Sequence, residues 1–142
     1  MPKTKNVAGT LIEHGGKTLL LLRTDGRWGL PAGGVESGED ELTGAVREIH
    51  EETGYTAKKK DMRLLFTYDK PLKSTKSNKD IIFSLFRLEV SKPFEVRLDP
   101  NEHVDYKWVT PQEAINMPDT IPGLPDVFRK AYPSKEIIPE SP

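Results

Sequence analysis

The chain has 142 residues, 35% hydrophobic and 30% charged, with a formal net charge of -1. That fits a single domain over residues 1–142 with its own core, and it lacks the basic excess that would make nucleic acid the expected partner. There is no cysteine, which excludes disulfides, thiolate metal sites and cysteine nucleophiles. No apolar run is long enough for a signal-peptide core or a bilayer span, so no membrane partner is expected and a cytoplasmic location is the default.

In chain order, VAGTLIE (7–13) and TLLLLR (18–23) are β-rich runs separated by HGGK, the pattern of a hairpin with His14 at its tip. TDGRWGLPAGG (24–34) carries four glycines and a proline and is expected to be loop. The segment that follows is dense in acid: Glu36, Glu39, Asp40, Glu41, Glu48, Glu51 and Glu52, with Arg47 as the strong base among them. A helix is expected to start near Ser37 or Gly38. Leu42, Ala45, Val46 and Ile49 recur at helical spacing, and Gly54 is its natural stop.

MRLLFTYD (62–69) and IIFSLFRLEV (81–90) predict strands on either side of a lysine-rich loop. YKWVT (106–110) predicts a short strand. TPQEAINM predicts a helix with Thr110 as N-cap and Pro111 at its first position, and LPDVFRKAY a last helix before a frayed end. Strands and helices in this mixed order predict a sheet covered by helices.

On a helix, Glu48, Glu51 and Glu52 share a face, while Leu42, Ala45 and Ile49 occupy a different one. Neighbouring carboxylates repel by a few tenths of a kcal/mol per exposed pair, and by more where they are partly buried. A divalent cation reverses that sign. Magnesium prefers hard oxygen ligands and commonly bridges a few carboxylates to substrate phosphates. An isolated pair of glutamates on a helix is more simply a solvated face, so the spacing of the whole segment decides.

That spacing resembles the signature of the Nudix hydrolases, of the MutT-like kind. Gly33 is followed after five residues by Glu39, and after seven more by Arg47-Glu48-Ile49-His50-Glu51-Glu52-Thr53-Gly54-Tyr55. All nine specified positions are filled, with Tyr55 where an aliphatic residue is commoner. The loop TDGRWGLPAGG and the segment EHVDYKWVTPQEA fit the same family, so roughly Val7 to Ala131 is covered.

The resemblance implies an α/β/α sandwich with a mixed β-sheet and a loop–helix–loop catalytic box. It implies hydrolysis of the pyrophosphate linkage in a nucleoside diphosphate joined to another moiety, such as a nucleoside triphosphate or ADP-ribose. By position, Glu48, Glu51 and Glu52 would hold magnesium, with manganese as the other candidate. Glu39 would act behind them or through water, the carbonyl of Ala32 would add a backbone ligand, and Arg47 would orient a glutamate. The base that takes a proton from the attacking water would be Glu51, Glu52 or Glu102, with Asp105 competing for the place of Glu102. No Ser/His/Asp arrangement is evident. His14 and His50 are read as surface residues, and Trp28 and Trp108 as core or loop anchors.

Substrate choice is the least specified feature. Family members associate a proline about sixteen residues past the box with ADP-ribose and a nearby tyrosine with dinucleoside polyphosphates. Pro71 and Tyr68 stand in that region without a longer matching motif. Phe66, Tyr68, Lys70 and Pro71 are the candidate substrate contacts, and Lys70, Lys73, Lys76 and Lys79 either meet phosphates or solubilise a hairpin tip. The expected partner is a small nucleotide, and a homodimer is left open. A sensor module that binds a nucleotide or nucleotide sugar without turnover is the alternative, and decapping of RNA 5′ ends a weaker third.

Overall fold

The computed structural model describes residues 4–68, 72–73 and 80–133. The lysine-rich loop, including Lys70 and Pro71, and the end from residue 134 lie outside the described residues. One sheet organises the chain. Its strands are β1 (Thr4–His14), β2 (Lys17–Arg23), β3 (Trp28–Gly29), β4 (Ala32–Gly34), β5 (Met62–Thr67), β6 (Leu72–Lys73), β7 (Asp80–Glu89) and β8 (His103–Val109). Among the described residues the helices are α1 (Glu41–Thr53), α2 (Pro111–Asn116) and α3 (Leu124–Ala131), with a 3₁₀ turn at Lys59–Asp61.

β1 runs parallel to β7 over ten residue pairs, while the other strand pairs are antiparallel, which makes the sheet mixed. Helices cover both faces. From β1, Ala8 packs with Ala45 and Ile12 with Ile49 under α1, while Leu11 packs with Leu124, Val127 and Phe128 of α3. Leu19, Leu20 and Leu21 of β2 are likewise divided between the two faces and fully buried. Strands buried on both faces read as continuous apolar runs, which is why TLLLLR shows no alternation. The sandwich is the α/β/α arrangement. Burying Ile49 alone is worth roughly 1.5–3 kcal/mol.

Three expectations change. The helix starts later than Ser37 or Gly38: Gly38 has φ +82°, a left-handed residue that cannot lie in a helical turn, and the N-cap is Asp40, whose carboxylate accepts the Thr43 N–H at 2.7 Å. The 24–34 stretch is not all loop, because β3 pairs with β2 and β4 pairs with β1 at Val7–Gly9. His14 also differs from the surface residue expected. It is half-buried, with Nδ1 3.0 Å from the Val90 carbonyl, and the turn itself is Gly15–Gly16.

The other ends fall where local chemistry puts them. Gly54 takes φ +80° and its N–H closes on the His50 carbonyl. Thr110 and Glu113 form a reciprocal capping box on α2. Tyr55 lies tilted against Phe94 with ring centroids 4.5 Å apart, and Trp108 meets the same ring edge-on at 5.9 Å.

Beyond the hairpin turn, β1 and β2 part company. β1 keeps β2 only at Glu13 and His14, then takes β4 on that edge, while β2 takes β3. The opening between these two pairs positions a cleft.

Candidate active site

The cleft has a volume of about 480 Å³. Val7 and the β4 residues Ala32, Gly33 and Gly34 form one side, and Gly29 and Leu30 another. Ile81 and Phe83 of β7 and Ile121, Leu124 and Val127 around the start of α3 make an apolar wall. Lys5 and Arg23 bring positive charge, Arg23 paired with Asp25 at 2.7 Å, and Asp25, Glu52 and Glu102 bring negative charge. Phe83 reaches into the cleft over Gly9, where a Cβ would stand 2.8 Å from its ring. Ile121 sits 3.3 Å from the place of a Cβ on Gly29, held there by hydrogen bonds between Trp28 and the Asp119–Ile121 backbone.

α1 delivers its acids in a fan. Glu52 is buried, Glu48 is mostly covered and Glu51 is about half exposed. Glu52 accepts the Ala32 N–H at 2.9 Å and shares a hydrogen bond with Glu48. Burial, followed by the charges of Glu48 and Glu102, pushes the Glu52 carboxyl up to about 9. Burial also raises Glu48, against the opposing pull of Arg47. At neutral pH this pair therefore retains a proton. A Cβ on Gly33 would collide with the Glu48 carboxyl as placed, so a side chain there would displace that carboxyl.

Arg47 organises the remaining acids. Its guanidinium takes both oxygens of Glu39 at 2.9 and 3.0 Å, the Gly34 carbonyl at 2.8 Å, Glu48 at 2.8 Å and Glu51 at 3.2 Å. Those bonds, led by Glu39, raise Arg47 further above its ordinary range, and in return lower Glu39. With both oxygens engaged, Glu39 as placed orients Arg47.

Among the described residues, no three His, Cys, Asp or Glu side chains converge as a ready cation cage. The donors nevertheless suit magnesium or manganese. They are hard oxygens, and the Glu48–Glu52 pair holds a proton where a cation would neutralise both carboxylates. Glu51 is restrained by the longest of the five Arg47 bonds.

Glu102 lines the cleft and Asp105 does not; the Asp105 carboxylate instead accepts the Tyr106 N–H at 2.8 Å. Phe66 and Tyr68, expected to meet substrate, are absent from the cleft lining. They pack edge to face at 5.4 Å against the core, with Tyr68 leaning on Phe83, so Phe83 is the ring of this cluster that reaches the cleft. His50 is exposed as expected. The sequence reading missed Lys5, Arg23, Phe83, Asn101, His103 and Ile121. Arg23 carried one signal, as a cation closing β2 immediately before a glycine-rich loop.

The family model for the NUDIX domain matches residues 2–131. A "MutT-like protein" of Streptomyces ambofaciens is 30% identical over 94% of this chain and 86% of its own length. The asymmetrical bis(5′-nucleosyl)-tetraphosphatase of Rattus norvegicus is 34% identical over 82% of this chain and 75% of its own. The crystal structure of a MutT protein from Methanosarcina mazei superposes with a TM-score of 0.77 at 26% identity, covering 92% of this chain and 94% of that one.

Proposed function

The chain belongs to the NUDIX family, and from that premise we propose that it hydrolyses a phosphoanhydride bond in a nucleoside di- or polyphosphate derivative, using magnesium, or manganese in its place. The observation that carries this is the cleft in which Glu52 and Glu102 share one cavity with Lys5 and Arg23. A polyphosphate needs cations along its oxygens and acids to hold a metal and to take a proton, and both line the same cavity as an apolar wall.

Glu48, Glu51, Glu52 and the Ala32 carbonyl would hold the metal. Bound there, it would neutralise charge on the pyrophosphate and lower the pKa of an attacking water. The chain's own groups supply the rest. Lys5 and Arg23 orient phosphate oxygens, and the wall of Phe83, Ile121 and Leu124 holds the base against displacement. Arg47 keeps Glu48 and Glu51 at the helix surface. Glu102, an exposed carboxylate outside the Arg47 cluster, takes the proton from the water. The box supplies no nucleophile for a covalent intermediate, so displacement is direct.

The test is a panel of nucleoside triphosphates, dinucleoside polyphosphates, nucleoside diphosphate sugars and 5′-triphosphorylated RNA. Each is incubated with magnesium, and phosphate, mononucleotide and pyrophosphate release are measured. In ¹⁸O-water a single turnover should label one product. Tight nucleotide binding with no turnover across the panel would make the protein a binding module instead.

A further inference from the structure

Glu102 sits in a turn, where its aim depends on whatever fixes the backbone. We infer that Asp99 is a positioning residue that sets Glu102 into the cleft, an inference resting on the reading of Glu102 as the proton acceptor. The turn is closed around Asp99. Its carboxylate accepts the Asn101 N–H at 3.0 Å, and its carbonyl accepts the N–H groups of both Glu102 and His103 at 2.9 Å. Pro100 restricts the intervening backbone. The Glu102 carbonyl in turn accepts the Thr24 N–H at 3.3 Å, tying the turn to the loop that leaves β2. Among these four bonds the Asp99 carboxylate is the only side-chain contribution.

The strand that follows completes the arrangement. β8 pairs Asp105 with Leu22 but His103 with Arg23, so Val104 is an extra residue, 57% exposed. A bulge of this kind bends its strand and redirects the neighbouring side chains. Here Asn101, Glu102 and His103 all line the cleft. Asn101 and Glu102 lie in the turn and only His103 belongs to β8, so the three residues are freed from the alternation of a regular strand. The Asp99 turn and the Val104 bulge together make that presentation possible. The Asp99 carboxylate is the part of it that a side-chain substitution removes without touching the cleft.

The experiment compares wild type with Asp99→Ala, Asp99→Asn, Glu102→Gln and the double variant Asp99→Ala/Glu102→Gln, under magnesium with the best substrate of the panel. Melting temperatures are recorded alongside kcat and KM. Asp99→Ala should lower kcat on the order of tenfold or more while KM moves little, as expected for a misplaced reacting group. Asp99→Asn keeps an oxygen acceptor and should restore the rate. In the Glu102→Gln background Asp99→Ala should cost nothing further, whereas a merely structural role would add its loss there too. If Asp99→Ala does not fold, Asp99→Ser, with a shorter acceptor, carries the same comparison. A Glu102→Gln enzyme of full rate would remove the proton-acceptor reading and this inference with it. A slow Glu102→Gln enzyme beside a fully active Asp99→Ala enzyme would overturn the Asp99 inference alone, as would failure of Asp99→Asn to rescue or equal losses in both backgrounds.

Discussion

Glu13 and Glu52 are both carboxylates drawn out of water against the sheet, and the protein treats them in opposite ways. Glu13, in β1, pairs with Arg87 Nε at 2.9 Å and accepts a hydrogen bond from the Tyr132 hydroxyl. Arg87 lies over the Tyr132 ring at 5.2 Å, and Thr18 stands 3.3 Å from the same hydroxyl. Burial raises the Glu13 carboxyl while Arg87 pulls it back. Three strands and the end of α3 are thereby tied together through one ion pair and the Tyr132 hydroxyl. Glu52 has one backbone N–H, and its charged neighbours Glu48 and Glu102 are both acids. Burial without a counter-charge disfavours the ionised form, and carboxyls perturbed in this way are frequent at functional sites. One carboxylate is paired within the sheet; the other lines the cleft beside acids.

The largest effect should separate the two in activity. Glu52→Gln and Glu48→Gln should each lower kcat by about a hundredfold or more, roughly 2.7 kcal/mol of transition-state stabilisation. Glu13→Gln should leave kcat close to wild type. Steady-state rates with magnesium decide this, and comparable losses at Glu13 and Glu52 would dissolve the distinction. The second effect has the opposite assignment. Glu13→Gln weakens the pair with a largely covered Arg87 and should cost about 1–3 kcal/mol in denaturant unfolding of the metal-free protein. Unfolding curves in which Glu13→Gln is as stable as wild type would reduce the Arg87–Tyr132 cluster to a bystander.

The two regions also differ in how far the sequence announced them. The box acids were legible because Arg47, Glu48, Glu51 and Glu52 sit on one helix, within a nine-position pattern whose spacing is itself the signal. The helix stop at Gly54 and the cap at Thr110 depend on residues only a few positions away, and both were read correctly. The helix start was misplaced because first-turn acids mark a start only loosely, whereas the φ of Gly38 decides it. The Glu13 cluster was not legible, since Tyr132 lies 119 residues further along the chain. The cleft walls escaped for the same reason: Lys5, Phe83 and Ile121 meet only through the sheet and the strap between Trp28 and the segment before α3. Phe66 and Tyr68 had the right composition for a base-binding site, but they pack beneath Phe83.

A third effect concerns the cation. A proton held by the Glu48–Glu52 pair must leave before both carboxylates can bind metal, so magnesium affinity should rise with pH. For one proton the limit is about tenfold per pH unit, reached well below the raised Glu52 value of about 9. Calorimetry between pH 6 and 8, in buffers of different ionisation enthalpy, should record proton release on binding. Affinity independent of pH, with no proton released, would mean that the cation binds away from Glu52.

The smallest effect is in the stability of the metal-free protein, and its sign follows from linkage. The Glu52 carboxyl is raised from an ordinary 4.5 to about 9 on folding, so between those values the folded chain binds the proton more tightly than the unfolded chain. A group raised in this way contributes stability that is fully present below pH 4.5 and is lost as pH rises towards 9. An isolated proton would set a slope of at most about 1.4 kcal/mol per pH unit. Glu48 shares this titration, so the observed slope should be a fraction of that. Glu52→Gln mimics the protonated acid and removes the slope. In chelator, the wild-type melting temperature should therefore fall relative to Glu52→Gln as pH rises from 6 to 8, with the variant the more stable at the upper end. Glu13→Gln should parallel wild type at a lower level, because the raised Glu52 is untouched. A Glu52→Gln protein that melts many degrees below wild type at pH 8 without metal would show that Glu52, like Glu13, supports the fold, and the contrast between the two carboxylates would be lost.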